Sequence, residues 1–129
     1  MPRIEINLPY PPTVNTYYRN VQGKTLISAK GRQYRRDVAT AVMVQCVALG
    51  LTGKLRMRAA VMFPDRRKRD IDNLGKALLD SMEKAGVYEN DNQIRDYHII
   101  DAGIERGGHV KVWLEPLDKD TSPFEDWDQ

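Results

Sequence analysis

Leu55-Arg56-Met57-Arg58-Ala59-Ala60-Val61-Met62-Phe63-Pro64 places an apolar residue at every odd position from 55 to 63 and then stops at a proline. A period of two describes a β-strand with one buried face, so the odd-numbered side chains are expected in the core. The next segment is Asp65-Arg66-Arg67-Lys68-Arg69-Asp70-Ile71-Asp72-Asn73-Leu74-Gly75-Lys76. From Ile71 the apolar residues, continued by Leu74, Leu78, Met82 and Ala85, recur at three- and four-residue intervals, and Gly86 follows at a C′ position. That pattern predicts an amphipathic helix. Strand, charged loop and helix in succession point to an α+β fold.

Outward from this unit, Arg3 to Leu8 alternates as a strand, and Pro9-Tyr10-Pro11-Pro12 ends it. The prolines predict a rigid extended loop from Pro9 to Asn20, because they cannot continue a ladder. A short strand is expected at Lys24 to Ile27 after the turn at Gly23. Ser28 is a candidate N-cap for a long helix in which Tyr34, Val38, Ala41, Val42, Cys46 and Leu49 repeat until Gly50. Arg32, Arg35 and Arg36 near its start form either a solvated face or a basic surface for an external anion. Glu89 to Asn92 reads as a turn. Strands are expected at Gln93 to Ala102 and His109 to Glu115, joined through Arg106-Gly107-Gly108 as in a hairpin. The expected fold is a single α+β domain, residues 1–117, with a mixed sheet of four to five strands and two amphipathic helices. An acidic, flexible tail is expected at 118–129, with Phe124 and Trp127 available for docking.

A chain of 129 residues accommodates one hydrophobic core. Its 41% hydrophobic and 29% charged residues suit a globular protein. No apolar run approaches the length of a membrane span, and the first residues lack the layout of a signal peptide, so a cytoplasmic location is expected. Cys46 stands alone, which rules out an internal disulfide, and its apolar neighbours predict a buried, inert thiol. The tail holds five acids against Lys119, a net of −4, which leaves +6 for the rest of a chain whose total is +2. A basic body favours a polyanionic partner, since lysines and arginines that neutralise phosphates release condensed counterions.

The chemistry concentrates between Asp65 and Lys76. Four consecutive cations attract a phosphate backbone, while Asp70 and Asp72, two residues apart, need a cation or water to tolerate each other. Within a helix they would diverge, but in an extended helix entry alternate side chains converge. Either they bind a metal, or one is a helix N-cap. Oxygen donors without histidine or cysteine select Mg²⁺, with Mn²⁺ as substitute. Asp91 is a third candidate ligand or a turn-forming residue. Lys76, four residues after Asp72, makes a surface ion pair or neutralises charge on a phosphoryl transition state. His98 and His109 fall on solvent-facing strand positions. No Walker-type glycine loop is present, which argues against nucleotide phosphotransfer. The most economical reading is metal-dependent nucleic-acid cleavage.

With these residues in hand, the sequence resembles the RusA family of Holliday-junction resolvases, small phage and prophage endonucleases. The likeness lies in Leu8-Pro9-Tyr10-Pro11-Pro12 with Asn15, Tyr17, Tyr18 and Arg19, in Ser28-Ala29-Lys30-Gly31 with Tyr34-Arg35, and above all in Pro64 to Leu74. Lys76, Lys84-Ala85-Gly86 and Asn90-Asp91 extend it. It implies a homodimer that binds four-way DNA junctions and nicks two strands symmetrically with Mg²⁺, in recombination and repair. It assigns metal binding and catalysis to Asp70, Asp72 and Asp91, with Lys76 assisting. Arg66, Arg67, Lys68 and Arg69 are the first candidates for DNA contact, joined by Asn15, Tyr18 and Arg19. Tyr17 and Tyr18 either stack on exposed bases or enter the core. Two other readings stay open: a junction-binding dimer without catalysis, and a nuclease for flaps or structured RNA.

Overall fold

A computed structural model describes residues 3–117. The acidic tail, with Phe124 and Trp127, lies outside the described residues. The chain order is β1 (Ile4–Pro9), α1 (Val14–Tyr17), β2 (Tyr18–Val21), β3 (Lys24–Ile27), α2 (Ala29–Val44), β4 (Leu55–Phe63), a 3₁₀ turn (Ile71–Leu74), α3 (Gly75–Lys84), a second 3₁₀ turn (Asp91–Gln93), β5 (Ile94–Ile104) and β6 (His109–Pro116). The main sheet is mixed and four-stranded in the order β1-β6-β4-β5, and β2 and β3 form a separate antiparallel ribbon.

The alternation in β4 is realised as written. Leu55, Met57, Ala59, Val61 and Phe63 are buried, each at 7% exposure or less. They meet Tyr34, Val38 and Val42 of α2 and Leu78 and Met82 of α3 in one core. Each of these apolar side chains larger than alanine, fully buried, contributes about 1.5–3 kcal/mol before the entropy of ordering it. β4 therefore holds the centre of the sheet, antiparallel to β6 and parallel to β5. The parallel pairing requires a crossover, which α3 supplies.

That crossover corrects the expected hairpin between the last two strands. β5 and β6 lie on opposite sides of β4. Their connection arches over the end of β4, where the Glu105 N–H donates to the Phe63 carbonyl at 2.9 Å. Gly108, at φ +69°, lets this arch press on Tyr10, since a Cβ there would lie 3.0 Å from both the Met62 carbonyl oxygen and Tyr10 Cβ.

Three further expectations change. The proline-rich segment is not extended throughout, because Val14–Tyr17 forms one helical turn and Tyr18–Val21 a strand. The strand at Lys24–Ile27 exists but pairs with β2 and not with the main sheet. The long helix stops at Val44 and not near Gly50. Ser28 caps its start as expected, its Oγ accepting from the Gly31 N–H at 2.9 Å. At its other end Cys46 adopts φ +58°, while the Cys46 and Val47 N–H groups donate back to the carbonyls of Met43 and Val42. This Schellman closure turns the chain and leaves Cys46 exposed, which overturns the buried thiol. Gly86 closes α3 in the same way, at φ +87°. Among the described residues, no helix is long and apolar enough to cross a membrane.

A candidate nucleic-acid cleavage site along strand five

The loop after β4 is organised by a residue that carried no assigned role. The Asp65 carboxylate receives Arg69 in a two-pronged pair at 2.5 and 3.0 Å, Arg67 Nη2 at 3.1 Å and the Arg67 N–H at 2.9 Å. Hydrogen bonds from Arg69 and then Arg67 hold its carboxyl well below the usual carboxylate range. Arg69 also lies over the Tyr10 ring, 6.0 Å from its centroid. Asp65 thus claims Arg67 and Arg69. Arg66 and Lys68 are exposed and make no ion pair with the described residues. All four cations line a cleft of about 450 Å³ together with Asp65, Asp70 and Asp101.

Asp70 has extended backbone, φ −85° and ψ 119°, at the N-cap position of the 3₁₀ turn, but its side chain makes no cap hydrogen bond. The capping role is therefore not realised. Asp72 lies inside that turn and not in an extended entry, so the convergence expected from alternate extended positions does not apply. Neither carboxylate accepts a hydrogen bond or an ion pair from any described residue. Two exposed carboxylates thus stand without a hydrogen-bond or ion-pair partner beside four cations, of which Arg67 and Arg69 are committed to Asp65.

From this loop the chain passes through the 3₁₀ turn into α3, whose start lies against β5. Gly75 packs against Tyr97, whose hydroxyl would stand 2.7 Å from a Cβ at that position. One residue on, the Lys76 ammonium lies 3.6 Å from an Asp91 carboxylate oxygen. Burial disfavours the Lys76 charge, but Tyr18, Asp91 and Asp80 together outweigh it and raise its pKa. Asp91 is fixed through its backbone: its N–H donates to Glu83 Oε1 at 2.7 Å, and a reciprocal Asn90–Gln93 capping box holds the turn.

Beneath Lys76 lies a network that the sequence reading passed over. Asp80, 8% exposed, accepts from the Tyr17 hydroxyl and from Arg35 Nε and Nη2 at 3.0 and 2.7 Å. Desolvation pushes the Asp80 carboxyl up, yet the hydrogen bonds from Tyr17 and Arg35 prevail and its pKa is lowered. Tyr17 is thereby a core residue. The signal was an aspartate set among Ala77, Leu78, Leu79 and Met82, where a carboxylate survives only with a partner. Asn15, Tyr18 and Arg19 line a separate cleft of about 390 Å³ beside the β2–β3 ribbon.

The structure thus joins Lys76 to Asp91, and Asp70 to the basic cleft. It does not gather the three aspartates: among the described residues, no three His, Cys, Asp or Glu side chains form a group able to hold a metal ion. The donor chemistry fits a hard divalent cation nonetheless, since Asp70 and Asp72 have uncommitted carboxylate oxygens and Mg²⁺ commonly takes only one or two carboxylates.

Comparison with known proteins resolves the family. Residues 9–115 match the family model described as Endodeoxyribonuclease RusA. This chain belongs to the RusA family. The RusA relatives include proteins named crossover junction endodeoxyribonuclease from Enterobacteria phage 82 and from Escherichia coli K12. Each is 38% identical over 112 residues, 87% of this chain and 93% of the relative. The protein of that name from Shigella sonnei matches to the same extent. The RusA match runs from Pro9, at the end of β1, to Glu115 in β6, so it includes the cleft, Lys76, Asp91 and the ribbon.

Proposed function

We propose that this chain is a Mg²⁺-dependent, structure-selective endonuclease that acts as a homodimer in the bacterial cytoplasm and resolves four-way DNA junctions by paired, symmetric nicks. The observation that carries this reading is the pair of uncommitted carboxylates, Asp70 and Asp72, at a cleft whose Arg66 and Lys68 are open to a phosphate backbone. The family membership and the names of the relatives support the same substrate class.

In this reading Arg66 and Lys68 bind backbone phosphates directly, while Arg67 and Arg69, held by Asp65, shape the loop and add local positive potential. Asp70 and Asp72 would hold the cation, with Asp91 as the third ligand that the family resemblance implies, and the cation would supply charge neutralisation at the phosphoryl group and activation of the attacking water. Lys76, oriented by Asp91, contributes a second positive charge where negative charge develops in the transition state. Recognition rests on junction shape and phosphate contacts more than on base edges. The homodimer draws support from β5, an eleven-residue edge strand with Tyr97, Ile100 and Ile104 exposed at 37%, 56% and 53%. A two-fold pair of subunits presents two identical sites to two equivalent strands.

The test is incubation of an end-labelled mobile four-way junction with and without Mg²⁺, beside linear duplex and flap controls. Paired, opposed nicks that need the metal are expected. Tight binding without any metal-dependent product would leave a junction-binding dimer, and unpaired cuts in flaps would leave a nuclease of different specificity.

A further inference from the structure

From Ile6 to Arg36 the chain contains no aspartate or glutamate, yet it carries Arg19, Lys24, Lys30, Arg32, Arg35 and Arg36. In a protein with 18 acids among 129 residues, that run leaves the segment with six cations and no carboxylate of its own. Its most prominent feature is the β2–β3 ribbon. The register Tyr18↔Ile27, Arg19↔Leu26, Asn20↔Thr25 and Val21↔Lys24 sorts its side chains into two faces. Tyr18 and Ile27 are partly buried against the core, with Asn20 and Thr25 on the same face and hydrogen-bonded to each other at 3.2 Å. The opposite face presents Arg19, Val21, Lys24 and Leu26, all exposed, with the two aliphatics at 37% and 43%. Neither Arg19 nor Lys24 makes an ion pair with a described residue.

The ribbon is anchored at its base. Its tip is a two-residue turn with Gln22 and Gly23 both at positive φ, 51° and 78°, the geometry that matches strand twist. At its base the Tyr17 carbonyl accepts from the Ser28 N–H at 2.9 Å and from Ser28 Oγ at 3.0 Å. Gly31 lies against the same carbonyl with no room for a Cβ. Tyr17 in turn reaches Asp80 on α3, and Tyr18 contributes to the electrostatic environment of Lys76. The base of the ribbon is thus tied to the helix that carries Lys76.

We propose that the β2–β3 ribbon seats in a groove of one duplex arm of the branched substrate, with Arg19 and Lys24 on phosphates and Val21 and Leu26 against sugars and thymine methyls. This rests on the nuclease reading above and adds a second DNA-binding surface to it. Two strands about 4.8 Å apart, with their side chains, fit a major groove about 12 Å wide. A second copy of the chain is a poorer occupant. Two aliphatic side chains fall far short of the roughly 800 Å² per partner of a stable interface, and the cations would repel their equivalents.

The experiment is a titration of a fluorescently labelled four-way junction with the full chain in chelating buffer, repeated across salt concentrations, for wild type, Arg19→Gln/Lys24→Gln, Arg19→Lys/Lys24→Arg and Val21→Ser/Leu26→Ser. Loss of two phosphate contacts at about 0.9 each lowers the salt-dependence slope by about 1.8, which is roughly 60-fold in affinity at 0.1 M salt. The charge-keeping pair restores the slope. The serine pair weakens binding several-fold with the slope unchanged. A charge-removed variant that binds with wild-type affinity and slope overturns the ribbon assignment while leaving the nuclease reading intact. A serine pair that changes the oligomeric state and not DNA affinity overturns it in favour of a protein contact. Wild-type protein that fails to bind the junction overturns both readings.

Discussion

The Lys76 ammonium lies 3.6 Å from a carboxylate oxygen of Asp91, and this is the one direct link among the four residues proposed to carry catalysis. It ties the first turn of α3 to the 3₁₀ turn that leads into β5, two elements separated in the chain by the rest of the helix. Asp91 acts on Lys76 first as an orienting partner. Because Asp91 is also a proposed ligand of the cation, Asp91→Asn should abolish junction cleavage, with junction affinity unchanged or higher, as read by single-turnover cutting beside a binding titration. Lys76→Ala should lower the cleavage rate by about 10²-fold with less than a twofold change in affinity, because transition-state charge stabilisation is lost while ground-state contacts remain. Equal losses in both would make Lys76 a binding residue.

Asp72 makes no side-chain hydrogen bond or ion pair with any described residue. Asp72→Asn should consequently leave the melting temperature within about 1 °C of wild type. Cleavage should fall to background, while binding is retained because a charge repelling phosphate has gone. Unchanged cutting by this variant would remove Asp72 from the metal assignment.

The division of labour among the four cations is testable by salt dependence. Arg66→Ala/Lys68→Ala should reduce the slope of junction binding by about 1.8, at about 0.9 per phosphate contact. Asp65→Asn, which releases Arg67 and Arg69 from their shared carboxylate, should instead raise non-specific duplex affinity and lower cleavage as the loop loses its shape. Indistinguishable slopes for wild type and the double mutant would move phosphate contact elsewhere.

The Asp80 network bears on stability. Asp80→Ala leaves the Arg35 guanidinium, only partly exposed, without its carboxylate, and a loss of about 3 kcal/mol is expected, lowering Tm by about 10 °C. Tyr17→Phe keeps the ring but loses the hydrogen bond donated to Asp80 and the one accepted from Arg35 Nε, for about 1.5–3 kcal/mol. The pH dependence has a definite sign. The Asp80 pKa is lowered in the fold from an unfolded value of about 3.9, so its contribution is complete above about pH 5 and is lost as pH falls through the folded value. Asp80→Asn should show a shallower acid decline in urea midpoint than wild type, and parallel curves would contradict the assignment.

Gly31 tests the mounting of the ribbon. A methyl at this position meets the Tyr17 carbonyl and comes within 2.7 Å of Ile27 Cγ1, so Gly31→Ala must displace the ribbon base or the first turn of α2. A cost of about 1–3 kcal/mol is expected, with weaker junction binding in the protein that remains folded. A denaturation curve matching wild type would show that the base yields without consequence.

Much of this molecule was legible in one dimension because it depends on local periodicity. The alternation from Leu55 to Phe63, the helical spacing from Ile71 to Met82, the Ser28 cap and the Gly86 stop each record a backbone conformation in which one face must leave water. The density of cations before Asp70 and Asp72 was equally plain, since it asks only what kind of ion such a segment attracts. What could not be read was pairing between distant segments. Only packing decided that β5 crosses to the far side of β4, that Lys24–Ile27 leaves the main sheet for a ribbon, and that the helix ends at an exposed Cys46. The same holds for Asp80 taking Arg35 and Tyr17, 45 and 63 residues away. Periodicity is a property of neighbours along the chain. The partner of a charge is whichever opposite charge the folded core brings within reach.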